Sequence, residues 1–146
     1  MVNGEDALEY LNGMVRKRGY ALPYHKLLAG ADFPVLQAAN NLVAAAYSDQ
    51  RRLSRETKEL IFITSLTVMR ASAGHIASHI RVALDLGVSS EEILEAIELA
   101  LPEAGVVAFQ HGFEVWAEVV GARPLEPTVE AHGSQGSGAN GAAEEG

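Results

Sequence analysis

Periodicity, capping residues and helix-stopping glycines converge on an all-α domain. Apolar residues recur at helical spacing along most of the chain, Asn, Pro, Asp or Ser stands where the periodic stretches open, and Gly19, Gly87 and Gly121 stand where three of them close. No convincing pair of strands interrupts this pattern. Asn3 can cap a first helix over residues 4–18, with Leu8, Leu11, Met14 and Val15 on one face and Gly19 as its stop. A short helix opens at Pro23 and runs over 23–28. Asp32, with Pro34 just inside, opens a segment reaching about Tyr47 whose Leu36, Ala39, Leu42, Val43 and Ala46 share a face. Ser54 caps the next helix, over 55–69. Its β-branched residues would also suit a strand, but the run is too long for one and does not alternate. A helix over 73–86 follows, stopped by Gly87. Ser89 and Glu92 form a capping box for a helix over 90–101, and Pro102 opens a last helix ending at Val120. Six or seven helices result.

The chain has 146 residues, the size of one ordinary domain. Residues 1–121 form the expected helical domain. Residues 122–146 have no aromatic residue, five Gly and a linker-like run at 133–141, so a disordered Gly/Ser/Ala/Glu-rich tail is expected there, with His132 incidental to function. With no cysteine, disulfides, thiolate metal sites and thiol mechanisms are excluded. A formal charge of −8 disfavours nucleic acid and anionic membrane surfaces as partners. No stretch is long and apolar enough for a membrane span and the N-terminal segment is acidic, so a cytoplasmic location is expected. Because 48% of the residues are hydrophobic, apolar faces should remain uncovered and a homo-oligomer is expected, with the last helix as an interface.

Three side chains carry the chemical reading. At 100° per residue Glu59 projects within about 40° of Ile63 and Leu66, inside the apolar stripe of its helix. Its place near the helix N-terminus could account for it structurally. His75 and His79 stand one turn apart on the apolar arc of the following helix, while Ser78, Arg81 and Asp85 take the opposite face. Burial lowers the pKa of an imidazole unless a carboxylate compensates, and a ring neutral near pH 7 suits acid/base work. The same His-x-x-x-His pair with Glu59 could alternatively make a two-histidine, one-carboxylate metal site, or the histidines could be ordinary core residues of a non-catalytic helical module that binds a small ligand or a partner protein. No Glu follows His75, so the metalloprotease pattern is absent. Arg52 and Arg55, with Arg51, form a small basic cluster that is either a solvated loop or a clamp for an anionic substrate. His111 is expected at the surface or a subunit interface, and His25 has no pattern around it.

The block Glu59-Leu60-Ile61-Phe62, followed by His75-Ile-Ala-Ser-His79-Ile-Arg-Val-Ala-Leu84-Asp-Leu-Gly87-Val-Ser-Ser-Glu91-Glu92-Ile-Leu-Glu95-Ala, resembles the carboxymuconolactone decarboxylase family, to which the AhpD-like alkylhydroperoxidases also belong. Ala104-Gly105-Val-Val-Ala-Phe matches the start of that family's last helix. The likeness spans roughly residues 54–120. It implies an AhpD-like helical domain that associates into trimers or hexamers, with active sites at or near subunit contacts. In the peroxidase branch a Glu precedes a Cys-x-x-Cys-x-x-x-His motif. His79 falls on its histidine, His75 and Ser72 on its two cysteines, and Glu59 on its Glu, with one more residue between Glu59 and His79. Without the sulfurs, cysteine-dependent peroxidase activity is disfavoured. The decarboxylase branch, which keeps the histidine alone, implies a cofactor-independent lyase acting on a small unsaturated lactone or carboxylic acid. His79 would then deliver a proton, His75 assist it or hydrogen-bond the carbonyl oxygen, and Glu59 set their tautomers and pKa values, with Ser72, Arg52 and Arg55 as the expected substrate-binding residues. No metal or organic cofactor is implied.

Overall fold

The computed structural model describes residues 4–128. Among them the chain forms α1 (Gly4–Arg18), α2 (Pro23–Ala31), α3 (Phe33–Val43), a π-helical turn (Ala44–Ser48), α4 (Arg55–Val68), α5 (Ala73–Asp85), α6 (Ser90–Glu98), α7 (Ala100–Ala104) and α8 (Val106–Val120), with no strand. Asn3, His132 and residues 129–146 of the expected tail lie outside the described residues; 122–128 contain no helix. No helix of the described residues is long and apolar enough to cross a membrane.

Local signals explain most boundaries. The Ser54 hydroxyl accepts the Thr57 N–H at 3.2 Å to open α4, and Ser89 and Glu92 exchange hydrogen bonds across the first turn of α6. Gly87, at φ +93°, ends α5 with the paired bonds of a Schellman motif, Val88 N–H to the Ala83 carbonyl and Gly87 N–H to that of Leu84. The same motif ends α4, but there Arg70 occupies the left-handed position at φ 51°.

The structure corrects the expected elements at three places. The helix expected over 23–28 continues to Ala31. The segment expected to be helical to Tyr47 leaves α geometry at Ala44 for a π turn, closed by Asp49 N–H on the Ala44 carbonyl at 2.9 Å. The helix expected over 90–101 stops at Glu98, the short α7 takes residues 100–104, and the last helix begins at Val106 rather than Pro102. Gly105, at φ +82°, breaks the chain between α7 and α8, and Pro102 sits in the first turn of α7, where its missing N–H leaves no helical bond unmade.

Two apolar clusters organise the packing. Ile63, Leu66, Ile76, Ile80, Ile93, Ile97 and Val115 knit α4, α5, α6 and α8 together, whereas Ala7, Met14, Ala29, Phe33 and Leu36 join α1, α2 and α3. Each fully buried isoleucine contributes roughly 2–3 kcal/mol of transfer free energy. The buried stripe of α1 is Ala7, Met14 and Arg18, which leaves Leu8 and Val15 exposed against expectation. In α8 the small residues Ala108 and Gly112 turn inward with Val115, because the helix lies so close to α4 that a Cβ on Gly112 would stand 2.5 Å from Thr67 Cγ2. The seam between the clusters is where Arg18, His25, Lys58, Glu59 and His79 are buried.

Candidate active site

Glu59 is fully buried and its carboxylate is the hub of the seam. Oε2 lies 2.7 Å from His79 Nδ1, and Oε1 accepts from Arg55 Nε at 2.7 Å and from the Tyr47 hydroxyl. Burial would raise this carboxyl's pKa, but the hydrogen bonds from His79, Tyr47 and Arg55 together outweigh it and hold the group below the usual carboxylate range. An ionised carboxylate only accepts, so His79 must donate through Nδ1. That assignment turns Nε2 toward the Tyr20 hydroxyl, 3.1 Å away. His79 is 1% exposed and held on several sides: Phe62 stacks on it with ring centroids 5.1 Å apart, and Tyr20 and Tyr47 meet it edge-on.

Tyr47 owes its place to the π turn, which carries it toward α4. Its hydroxyl accepts from Arg55 Nη2 at 2.7 Å while donating to Glu59, and the Arg55 guanidinium covers its ring at 4.1 Å. Burial, then the hydrogen bond to Glu59, pushes this phenol far up, so it stays a neutral donor. Lys58 closes the turn by donating to the Tyr47 and Asp49 carbonyls at 3.1 and 2.9 Å.

The Nε2 side of His79 opens on a cavity of about 250 Å³, lined by Arg18, Tyr20, Leu22, Tyr24, His25, Leu42, Val43, Ala46, Tyr47, Phe62, His75 and His79. It is smaller than the roughly 300–1,000 Å³ pockets of drug-sized ligands, so it suits a small molecule. Larger grooves of about 690 and 570 Å³ flank α1, but no histidine among the described residues lines either. His75 is half-buried beside His79, with ring centroids 5.3 Å apart; burial, then the charge of His79, lowers its pKa.

Of the residues singled out in the sequence, Glu59, His79 and His75 therefore gather at the seam, Glu59 behind His79 and both imidazoles in the cavity wall. The extra residue between Glu59 and His79 does not prevent their contact. The three proposed substrate-binding residues are placed otherwise. Arg55 reaches Glu59, Tyr47 and the Arg18 carbonyl, and so balances the buried carboxylate instead of facing a ligand. Arg52 is exposed on the loop before α4, and Ser72 is exposed at the N-cap of α5; neither lines the cavity. For the alternative metal set, both Glu59 oxygens already accept hydrogen bonds, and no group of three His, Asp or Glu side chains among the described residues is arranged to hold an ion. His111, on α8, is half-buried and its Nε2 binds the Ala71 carbonyl at 2.7 Å, away from the cavity.

Tyr20, Tyr47, Phe62, Arg18 and His25 complete the site and were not legible as such. Arg18 had a usable signal, since it projects about 40° from Met14 on α1. His25 had a fainter one: it stands three residues after Leu22, and its Nδ1 accepts the Leu22 N–H at 2.9 Å, as a Glu would in a capping box.

The model of the carboxymuconolactone decarboxylase family matches residues 34–118, which include the π turn, Glu59, His75 and His79. A solved structure from Burkholderia xenovorans LB400, provisionally named a carboxymuconolactone decarboxylase, superposes with a TM-score of 0.62 at 21% identity, covering 84% of this chain and 100% of its own. That likeness concerns the fold. No curated protein matches the chain.

Proposed function

Because the chain belongs to the carboxymuconolactone decarboxylase family, we propose that it is a cofactor-independent lyase that removes CO₂ from a small unsaturated lactone or carboxylic acid. The observation carrying this reading is the chain Glu59, His79, Tyr20, which runs from a fully buried carboxylate to the wall of a small, largely apolar cavity.

In the proposed reaction the bond between the carboxyl carbon and its neighbour breaks, CO₂ leaves, and the electron pair passes into the conjugated carbonyl system as an enolate. His79 Nε2 then gives its proton to the carbon and recovers one through Tyr20 from outside. Glu59 keeps Nδ1–H engaged throughout, so the exchangeable proton always sits on the cavity side, and its negative charge balances the imidazolium before transfer. Tyr47 and Arg55 hold Glu59 in place. His75, with its lowered pKa, is suited to donate a hydrogen bond to the carbonyl oxygen where charge develops. The apolar lining from Leu42, Val43 and Phe62 favours loss of a charged carboxylate as neutral CO₂.

The test is turnover of an unsaturated lactone acid by wild type, His79→Gln and His79→Asn. The Asn variant keeps a donor to Glu59 but has no counterpart of Nε2. Both should lose roughly 10²-fold or more in kcat with the fold retained by circular dichroism. Wild-type turnover that persists in either variant removes the proton-delivery role.

We also propose that the active form is a homo-oligomer. Tyr24 and Leu42 stand exposed at the cavity mouth, and Val106 and Val107 at the start of α8. A clean monomer in chromatography with light scattering would count against assembly.

A further inference from the structure

Arg18, the last residue of α1, is 5% exposed, yet meets no carboxylate among the described residues. Its Nη2 donates to the Asn40 side chain and its guanidinium lies 5.8 Å from the centre of the Tyr20 ring. Arg16, Lys17 and Arg55 all have acidic partners. A buried cation ordinarily has a counter-ion, because desolvation is costly unless a charge is paired. Arg18 stands in the wall shared by the His79 cavity and the groove between α1 and α3. Asp6 and Glu9 line the groove without pairing with Arg18, whereas no acidic side chain among the described residues lines the cavity. With Asn40 holding Nη2 from the groove side, an anion entering the cavity would supply the counter-charge that Arg18 lacks among the described residues.

His25 faces the same space and is 3% exposed. Since its Nδ1 accepts the Leu22 N–H, its ring proton must sit on Nε2, and burial lowers its pKa to about 4, keeping the ring a neutral donor.

We propose that Arg18 and His25 form an anion subsite in this cavity, which holds a carboxylate of a small organic acid on the far side of Tyr20 from His79. The inference rests on the cavity being the reaction site, and it adds what orients the ligand there: Tyr20 touches both the cation and the proton carrier, so an acid group held at Arg18 places the rest of the molecule against His79 and Phe62. Such an ion pair is made in the ground state and is not strengthened as CO₂ departs, so Arg18 governs binding more than the chemical step.

The probes are benzoate and glutarate, with benzamide as a neutral counterpart of benzoate, followed by calorimetry and by the imidazole ¹⁵N resonances of the full chain. Wild type should bind at least one of the two acids, benzoate at least about tenfold tighter than benzamide where benzoate binds, with the His75 and His79 resonances shifting. Arg18→Gln should weaken acid binding by about tenfold or more, and Arg18→Lys by less. Where a turnover assay exists, Arg18→Gln should raise KM and leave kcat within a few-fold. His79→Gln should keep acid binding while losing turnover, so Arg18-dependent binding without any lyase activity would sink the reaction and spare the subsite. Absence of acid binding to wild type, equal affinity for benzamide and benzoate, undiminished acid binding in a folded Arg18→Gln, or binding that leaves both histidine resonances unmoved would each overturn the subsite. Should Arg18→Gln fail to fold, the wild-type preference for benzoate over benzamide and the histidine shifts decide alone.

Discussion

Glu59 accepts three hydrogen bonds from three different side chains, and each of the three does a different job. Arg55 supplies charge, Tyr47 a neutral donor, and His79 the link to the cavity. Removing the Tyr47 hydroxyl subtracts one of the interactions that lower the Glu59 pKa. Tyr47→Phe should therefore raise that pKa, move the acid limb of the pH–rate profile upward, and reduce stability by about 1–3 kcal/mol in urea titrations. His25 gives a second pH signature. Its pKa falls from an unfolded 6.5 to about 4, so the unfolded chain binds a proton first as the solution is acidified. Stability from this group is complete above pH 6.5 and is lost on descending toward pH 4, with a slope of up to about 1.4 kcal/mol per pH unit. His25→Asn, which can still accept the Leu22 N–H, should make thermal stability fall less steeply between those pH values, leaving the part that the lowered His75 contributes; an unchanged slope would remove His25 as its source. Helical projection made Glu59 and His79 legible, because an ionisable residue on an apolar arc is visible in one dimension. Tyr20 was not, since it lies in the turn between α1 and α2 and meets His79 only through tertiary packing.

At the scale of elements, the departures from the expected helices have identifiable causes. The π turn inserts one residue per turn relative to α geometry and swings Tyr47 inward, an event that no periodicity rule anticipates from Ala44-Ala-Ala-Tyr-Ser48. Lys58, on the neighbouring helix, secures it by binding two carbonyls there. The face that α8 turns inward has another cause. Phe113 and Trp116 carry more apolar surface than Ala108 and Gly112, yet close approach to α4 requires small residues at the contact, so the larger ones sit to the side, stacked on each other at 5.6 Å. Gly112→Ala should be destabilising by about 1–3 kcal/mol, since its Cβ would meet Thr67 Cγ2 and Oγ1 at 2.5 and 2.6 Å. Thr67 offers the check, because its buried hydroxyl has no hydrogen-bond partner among the described residues. Thr67→Ala removes both obstructing atoms, so the double variant should recover most of the loss and the two free energies should be strongly non-additive in a thermodynamic cycle. Additive effects would show that the helices separate instead of clashing.

On the scale of the molecule, the site lies where two apolar clusters meet, and neither could build it alone. Arg18, Tyr20 and His25 come from the N-terminal side, Glu59, His75 and His79 from α4 and α5. The family resemblance made the α4–α5 half readable from the sequence; the N-terminal half had no motif and depended on the fold to assemble it. The two halves also differ in what they leave uncovered. Leu8, Val15, Leu27 and Leu42 are exposed on the N-terminal side, as are Ile61, Val106 and Val107 on the other, although a lone domain of this size gains nothing from apolar surface in water. If Val106 and Val107 meet a second copy, Val106→Glu with Val107→Glu should buy solubility as a monomer at the expense of assembly, lowering the mass seen by light scattering and making Tm insensitive to protein concentration. If they face solvent, the same pair should change stability by no more than about 0.5 kcal/mol and leave the mass unchanged. Comparing turnover of the dissociated variant with wild type then separates two arrangements. A cavity completed by a neighbouring subunit loses activity on dissociation, whereas one enclosed by a single chain keeps it, because every group from Glu59 to Arg18 belongs to the same protomer.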